Sequence, residues 1–375
     1  MENKHGKERN TTIMRFPLKL DIYIIKKFLG TFFFSLLLIL SIAIIFDFSE
    51  KFDDFVEHNA PLKAIVVDYY LNFIPYFAVL FSSMFVFISV LFFTSKMAYD
   101  TEIIAILSSG VSFRRLLWPY MFSALVIALF SYYLTNYVIP NATKSRLKFE
   151  DMYYHNSQVY FDDINIHKQI RPGIYIYMES YSNLSEIGRR FSMEEYENGK
   201  IKSKIFADYI RWDSTINKWS IRNYYQRILT DSNELIIKGD VLDTAIALDP
   251  SEFKQRDNII ETFTTPSLKK EIQRKKLAGD SSVEALQIEL YKRTAMPFST
   301  FILTVIALCV SSRKIRGGIG MHIGLGLLIV FSYILFMQFS SQFAIGGTLP
   351  PLLAVWLPNI VYSGIALLLY YKAPK

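Results

Sequence analysis

The sequence predicts a polytopic α-helical membrane protein with six transmembrane helices and an inserted all-β, jelly-roll-like domain between the third and the fourth. Three observations predict it. Six windows are long and apolar enough to cross about 30 Å of hydrocarbon, which takes roughly 20 residues. Lys and Arg gather at alternate ends of those windows. The stretch 143–265 has no such window and instead alternates apolar and polar residues at the period of a strand. Composition agrees: of 375 residues 51% are hydrophobic and only 20% charged, against about 25% charged in a soluble domain.

The first window is Phe28–Phe48. It is too long for a secretory leader and lacks a small-residue cleavage site, so it reads as a retained span. Ile65–Thr94 is the second, long enough to tilt or kink, with Pro75 inside it. Leu116–Ile139 is the third. Ala295–Ser311 is short and contains Pro297; Gly320–Phe339 and Leu352–Tyr371 complete the set. The chain thus divides into an N-terminal membrane half (1–142), a β domain (143–265), an amphipathic connector (266–294) and a C-terminal membrane half (295–375).

Orientation follows from the basic residues. Lys4, Lys7, Arg9, Arg15, Lys19, Lys26 and Lys27 precede the first span. Lys96, Arg114 and Arg115 follow the second, Arg313, Lys314 and Arg316 the fourth, and Lys372 and Lys375 the sixth. The loop after the first span is mainly acidic, and 340–351 has no charge. An excess of Lys and Arg marks cytoplasmic loops, so both termini are expected in the cytoplasm and the β domain in the periplasm. The net charge of +7 is explained by these flanks, without nucleic acid as a partner.

Within the insert, Gly173–Tyr177, Lys200–Ala207, Tyr209–Trp212, Trp219–Tyr225 and Glu234–Ile237 read as short strands. Pro172-Gly173, Asn198-Gly199 and Lys238-Gly239-Asp240 read as turns. Short strands spaced by turns suit a sandwich, jelly roll or open barrel. Tyr175, Tyr177, Tyr209, Trp212, Trp219, Tyr224 and Tyr225 suit a sheet core or an apolar groove sheltering a lipid chain. Ser267–Leu277 reads as a short amphipathic helix with a basic face, lying at headgroups or simply solvated.

Chemistry is sparse. The single cysteine, Cys309, excludes a disulfide framework and a cysteine-held zinc. No Gly-x-x-x-x-Gly-Lys-Ser/Thr loop is present, so ATP is not expected to bind here. His5, His58, His155, His167 and His322 lack ligand spacing, and no metal site is expected. No Gly-x-Ser-x-Gly elbow occurs. Asp47 and Asp68 lie near span ends, so an ion path has little support. No catalytic residue is assigned, and the chain is not expected to be an enzyme.

The loop after the second span is more informative. Asp100 or Thr101 can cap a short helix at about 100–110 whose first turn holds Glu102. Ile103, Ile106 and Leu107 give it an apolar face, Gly110 ends it and Ser112 can cap the next helix. Such a face needs a partner subunit or the bilayer surface to cover it. Gly320 and Gly324, followed by Gly326, form a small-xxx-small face for close helix packing in the fifth span.

These residues together resemble the LptF/LptG permeases of the lipopolysaccharide-export ABC transporter. Leu20-Asp-Ile-Tyr-Ile24 resembles the family's Leu-Asp-Arg-Tyr-Ile opening. Thr101-Glu-Ile-Ile-Ala-Ile-Leu-Ser-Ser-Gly-Val-Ser112 resembles its coupling helix and is the most specific match. Val138–Ala142, Glu289–Pro297 and Arg313–Gly318 resemble, in order, the end of the third span, the start of the fourth and the basic turn before the fifth.

The resemblance implies an inner-membrane permease of a Gram-negative bacterium that pairs with a second LptF/LptG-type permease. It implies a separate LptB-like ATPase dimer, which binds the ATP and Mg, docked on the coupling helix. Lipopolysaccharide would be squeezed out of the membrane and passed through the jelly roll to LptC/LptA-like bridge proteins. Glu102 would contact the ATPase, with Ile103, Ile106 and Gly110 shaping the docked face. The chain departs from the family pattern at Leu107, Ile22 and Asp47. Lys51 and Lys63 are substrate candidates by position, ordinary interfacial lysines being the alternative. A permease for another envelope glycolipid or a lipoprotein keeps the same architecture. A membrane-anchored sensor or scaffold is the reading of a different class.

Overall fold

A computed structural model of the protein describes residues 19–153 and 163–373 apart from 183–184, 198, 215, 230–232, 247, 249–256, 279–281 and 314–317. Lys4, Lys7, Arg9, Arg15, His155, Asn198, Lys314, Arg316 and Lys375 lie outside the described residues.

Every apolar window becomes a helix of spanning length. Helix α1 (Lys19–Glu57) carries the first. The second span starts as a single turn, α2 (Leu62–Ala64), passes through a π-helical turn at Ile65–Tyr70 and runs on as α3 (Leu71–Tyr99). A short helix α4 (Glu102–Ser108) leads to α5 (Phe113–Tyr133), a second π-helical turn at Leu134–Val138 and α6 (Ile139–Tyr153). The third helical rod is therefore 41 residues long, which at 1.5 Å per residue is about twice the hydrocarbon thickness. After the sheet come a 3-10 turn (Asp257–Thr262), α7 (Thr265–Ala278), α8 (Val283–Ser311), α9 (Gly318–Ile345) and α10 (Pro351–Tyr371).

The helices share one apolar core in which α3 and α8 are central: 56 and 61% of their apolar windows are buried, against 22% for α1 and 28% for α9. Ile24, Phe28, Phe32, Val86, Val90, Leu303 and Ile306 are among its buried residues. A face of α1 or α9 left uncovered by this chain is covered by lipid or by another protein.

The β domain is one antiparallel sheet of β1 (Asp163–Arg171), β2 (Ile174–Ser182), β3 (Ile187–Glu197), β4 (Lys200–Asp213), β5 (Lys218–Leu229) and β6 (Glu234–Thr244), in that spatial order. Consecutive pairing makes the described strands a meander, whereas a jelly roll needs Greek-key crossings. One face buries Ile176, Met178, Phe191, Ile205, Ile210, Trp219 and Ile221. Trp219 is sheet core, and its indole donates to the Leu248 carbonyl at 2.9 Å; Tyr175 and Tyr225 are exposed.

Two further expectations for this domain change. The strands at Lys200–Ala207 and Tyr209–Trp212 are one strand, β4. The expected turn at Lys238-Gly239-Asp240 lies inside β6. Gly239 is there because it pairs with Tyr224, whose ring would lie 2.8 Å from a Cβ at that position. Gly173 and Gly199 do occupy turns, at φ of 79° and 78°, where a side chain is strained.

Candidate functional site

The start of α1, helix α4 and the start of α5 meet at one end of the bundle. Helix α4 has its three apolar residues, as expected, at helical spacing. Ile103 is fully buried in this chain's own core, and Ile106 and Leu107, half-buried, pack against the same cluster. Ile103 therefore seats the helix and cannot touch a docked subunit, which corrects its expected place on the docked face. Burying it contributes on the order of 2 kcal/mol. The outward face is Ile104, Ala105, Ser108 and Ser109, with Gly110 exposed beyond them.

The ends of α4 are unusual. Thr101 at its N-cap has φ of 63° and makes no side-chain cap. A left-handed β-branched residue costs about 1–2 kcal/mol, so the seat of Ile103 holds a strained junction. Gly110 ends the segment at φ of 90°, and Ser112 Oγ accepts from the Arg115 N–H, both as expected.

Polar ties fix α4 to α1. The Tyr23 hydroxyl donates to Glu102 Oε2 at 2.9 Å, and Lys27 Nζ lies 3.8 Å from Oε1. Lys27 also sits over the Tyr23 ring, 4.4 Å from its centroid. Glu102 remains about one-third exposed. At the start of α5, Arg115 donates from both terminal guanidinium nitrogens to Asp21. The residues of the Leu20–Ile24 segment and of the α4 segment are thus joined in space.

The opposite end of the bundle carries two polar clusters that sequence reasoning missed. Asp47 on α1 accepts from Lys51 at 2.7 Å, Tyr69 at 3.2 Å and Tyr70 at 3.1 Å. Lys51 also donates to the Tyr69 hydroxyl. The π-helical turn brings both tyrosines round to α1, the kind of local departure that often marks functional positions. Phe55, Phe73 and Phe149 pack around them. Beside this cluster runs an apolar groove of about 650 Å³ lined by Phe48, Phe52, Val56, Leu62 and Val66. Lys51 is thus an engaged, mostly buried cation, whereas Lys63 is exposed next to Leu62.

The second cluster centres on Arg293, which is 3% exposed. It donates to Glu289 at 3.2 Å, to Thr265 Oγ1 at 3.0 Å and to the Phe263 carbonyl at 2.8 Å. Thr265 in turn donates to Asn136. Glu261 nearby accepts from Tyr76, and burial holds its carboxyl above the usual carboxylate range. The first residues of α7 are bolted here to the spans. Leu268 and Ile272 pack against Val283 and Leu286, so the apolar stripe of α7 is covered by α8 and not by headgroups.

The glycines of α9 divide differently from expectation. A Cβ at Gly320 or Gly324 meets no atom of the described residues within 4 Å, whereas one at Gly326 lies 2.3 Å from Leu91 on α3. Gly326 is two residues past Gly324, about 200° round the helix. The close approach is therefore made by Gly326, and the Gly320/Gly324 stripe is left uncovered by the described residues.

Among the described residues, six helices are long and apolar enough to span a bilayer. No group of three metal-ligating side chains occurs among the described residues. A family model described as "Lipopolysaccharide export system permease LptF/LptG" matches residues 22–372, nearly the whole chain. No curated protein matches the chain.

Proposed function

This chain belongs to the LptF/LptG family of lipopolysaccharide export permeases, and from that premise we propose that it is one membrane subunit of an ABC transporter that lifts lipopolysaccharide out of the inner membrane. Helix α4 is the coupling helix, and a separate LptB-like ATPase dimer, holding the ATP and Mg, docks on its outward face. Both termini are cytoplasmic and the β domain is periplasmic. The observation that carries this reading is how α4 is held. Ile103 is locked in the core, and Glu102 is tied to Tyr23 and Lys27. A push on α4 therefore moves α1, a span largely uncovered by the rest of the chain.

Other features support the remaining parts. The uncovered faces of α1 and α9, with Gly320 and Gly324 on the latter, suit pairing with a second LptF/LptG-type permease through close helix contact. The apolar groove beside Lys51 suits acyl chains. Edge strand β6 exposes Leu235, Ile236, Ile237 and Val241, and an open apolar edge suits strand addition by an LptC/LptA-like bridge protein.

Affinity purification of the tagged chain from membranes, with mass spectrometry of accompanying proteins and lipids, tests the proposal. An ABC ATPase, a second permease and lipopolysaccharide are expected together. Another glycolipid or a lipoprotein in its place would change the cargo. A chain recovered with signalling proteins and without any ATPase would overturn transport.

A further inference from the structure

Two consecutive arginines at the start of α5 have opposite fates. Arg115 turns inward to Asp21. Arg114 turns outward, is exposed, and makes no ion pair or hydrogen bond with any described residue. Below it on the same face of α5, Leu117, Trp118, Met121 and Leu125 line a groove of about 390 Å³, closed on one side by Phe301 of α8. The stripe has helical spacing, so these side chains stack one above the other. Trp118 lies parallel to Phe122, with ring centroids 6.2 Å apart, which gives the trough a flat aromatic wall.

The dimensions fit one occupant. Arg114 is the second residue of its helix, at the depth where a span leaves the hydrocarbon. Leu125 is about 16 Å deeper at 1.5 Å per residue, close to half of the roughly 30 Å hydrocarbon thickness. The groove thus runs the depth of one leaflet, with a cation at the headgroup and a tryptophan at the interface belt. Basic sites between spans select anionic headgroups, and a guanidinium suits phosphate.

We propose that the α5/α8 groove is a binding site for an anionic phospholipid of the leaflet at the α4 end, its phosphate on Arg114 and one acyl chain along Leu117–Leu125. The site lies away from the Lys51 groove and concerns a resident lipid, not the exported one. Its place beside α4 gives membrane charge a direct contact with the segment that carries Arg115.

The full chain, with whatever subunits purify with it, is reconstituted in nanodiscs of equimolar phosphatidylglycerol and phosphatidylethanolamine, released, and read by native mass spectrometry. The wild type is expected to retain phosphatidylglycerol about fivefold over phosphatidylethanolamine, the worth of one interfacial cation. Arg114→Gln is expected to abolish the preference and Arg114→Lys to keep part of it. Leu125→Trp, which fills the trough from an exposed position, is expected to lower retention of both lipids. Equal retention of the two lipids by the wild type, or an undiminished preference in Arg114→Gln, would overturn the site. Exported glycolipid is distinguished by its mass, so failure here leaves the transport proposal standing.

Discussion

Arg115 and Asp21, 94 positions apart in the chain, form a two-pronged pair with both contacts at 2.6–2.7 Å, and Asp21 is wholly buried. The pair clamps the start of α1 to the start of α5, on either side of α4. Removing one partner of a buried pair leaves an uncompensated charge and costs about 3–5 kcal/mol. Arg115→Ala is therefore expected to lower the amount of folded protein in membranes sharply and to loosen α4. Thermal unfolding in detergent and hydrogen exchange over 102–108 check this, with Asp21→Asn/Arg115→Gln expected to recover part of the loss. A wild-type melting temperature for Arg115→Ala would show that the clamp is dispensable.

Glu102 differs from Asp21 in exposure, and so in the kind of effect expected. An exposed pair is worth about 0–1 kcal/mol, so Glu102→Ala and Glu102→Lys should fold and reach the membrane normally. They are expected to lose most stimulation of the partner ATPase and most lipid export. Normal co-purification, stimulation and export by both variants would remove Glu102 from the coupling role.

Lys51 and Lys63, alike on position, are separated by their surroundings. Lys51→Met strips Asp47 of its cation within an aromatic shell and is expected to cost about 2 kcal/mol. Lys63→Met, at an exposed site, should stay within about 0.5 kcal/mol of the wild type. Comparing their melting curves with bound lipid per complex separates a structural lysine from a lipid contact. If Lys51→Met melts like the wild type but loses bound lipid, Lys51 touches cargo.

How much was legible in the sequence depended on the range of the physics. The spans were readable because hydrocarbon thickness sets a length that any window must meet, and all six windows fall within described helices. Strand alternation located β2, β4, β5 and β6 in the same way. Gly239 was misread as a turn because its reason is Tyr224 on the neighbouring strand. Glu102 and the apolar side of α4 were visible as local pattern, but what covers Ile103 was not, since the cover comes from other helices. The Asp47 cluster needed a π-helical turn to bring Tyr69 and Tyr70 to α1, and no periodicity announces one. Arg293 lay inside a recognised motif, yet its partners Thr265 and Phe263 come from the connector.

Glu261 makes a pH prediction. Burial raises its carboxyl pKa in the folded protein above the ordinary value of 4.5, partly offset by the Tyr76 hydroxyl and Arg146. Between 4.5 and the raised value, the folded state binds more protons than the unfolded one, so this residue's contribution to stability falls as pH rises. Above that window the penalty is complete. Glu261→Gln is therefore expected to melt higher than the wild type at pH 7, by the order of 1 kcal/mol. That advantage should shrink as pH falls through the window. A constant difference from pH 7 to pH 4 would show that the carboxyl has the same pKa in the folded and the unfolded protein.

Gly326 and Gly324 supply the sharpest contrast within one helix. A Cβ at position 326 lies 2.3 Å from Leu91 Cδ1 and 3.1 Å from Phe87, both buried in the core of α3. The far end of Leu91 can yield to a methyl group, but a leucine at 326 needs room that a close-packed interior lacks. Overpacking of this kind costs typically 1–3 kcal/mol, and Gly326→Leu is expected to lower the melting temperature of the chain even when it is purified alone. A Cβ at Gly324 meets no described atom within 4 Å, and Gly324→Leu should leave that temperature unchanged. Its effect is expected only where a second permease packs against α9, as a loss of the paired complex on size-exclusion chromatography. Should Gly324→Leu pair normally, the uncovered glycine stripe faces lipid, and the permease contact must use another part of α1 and α9.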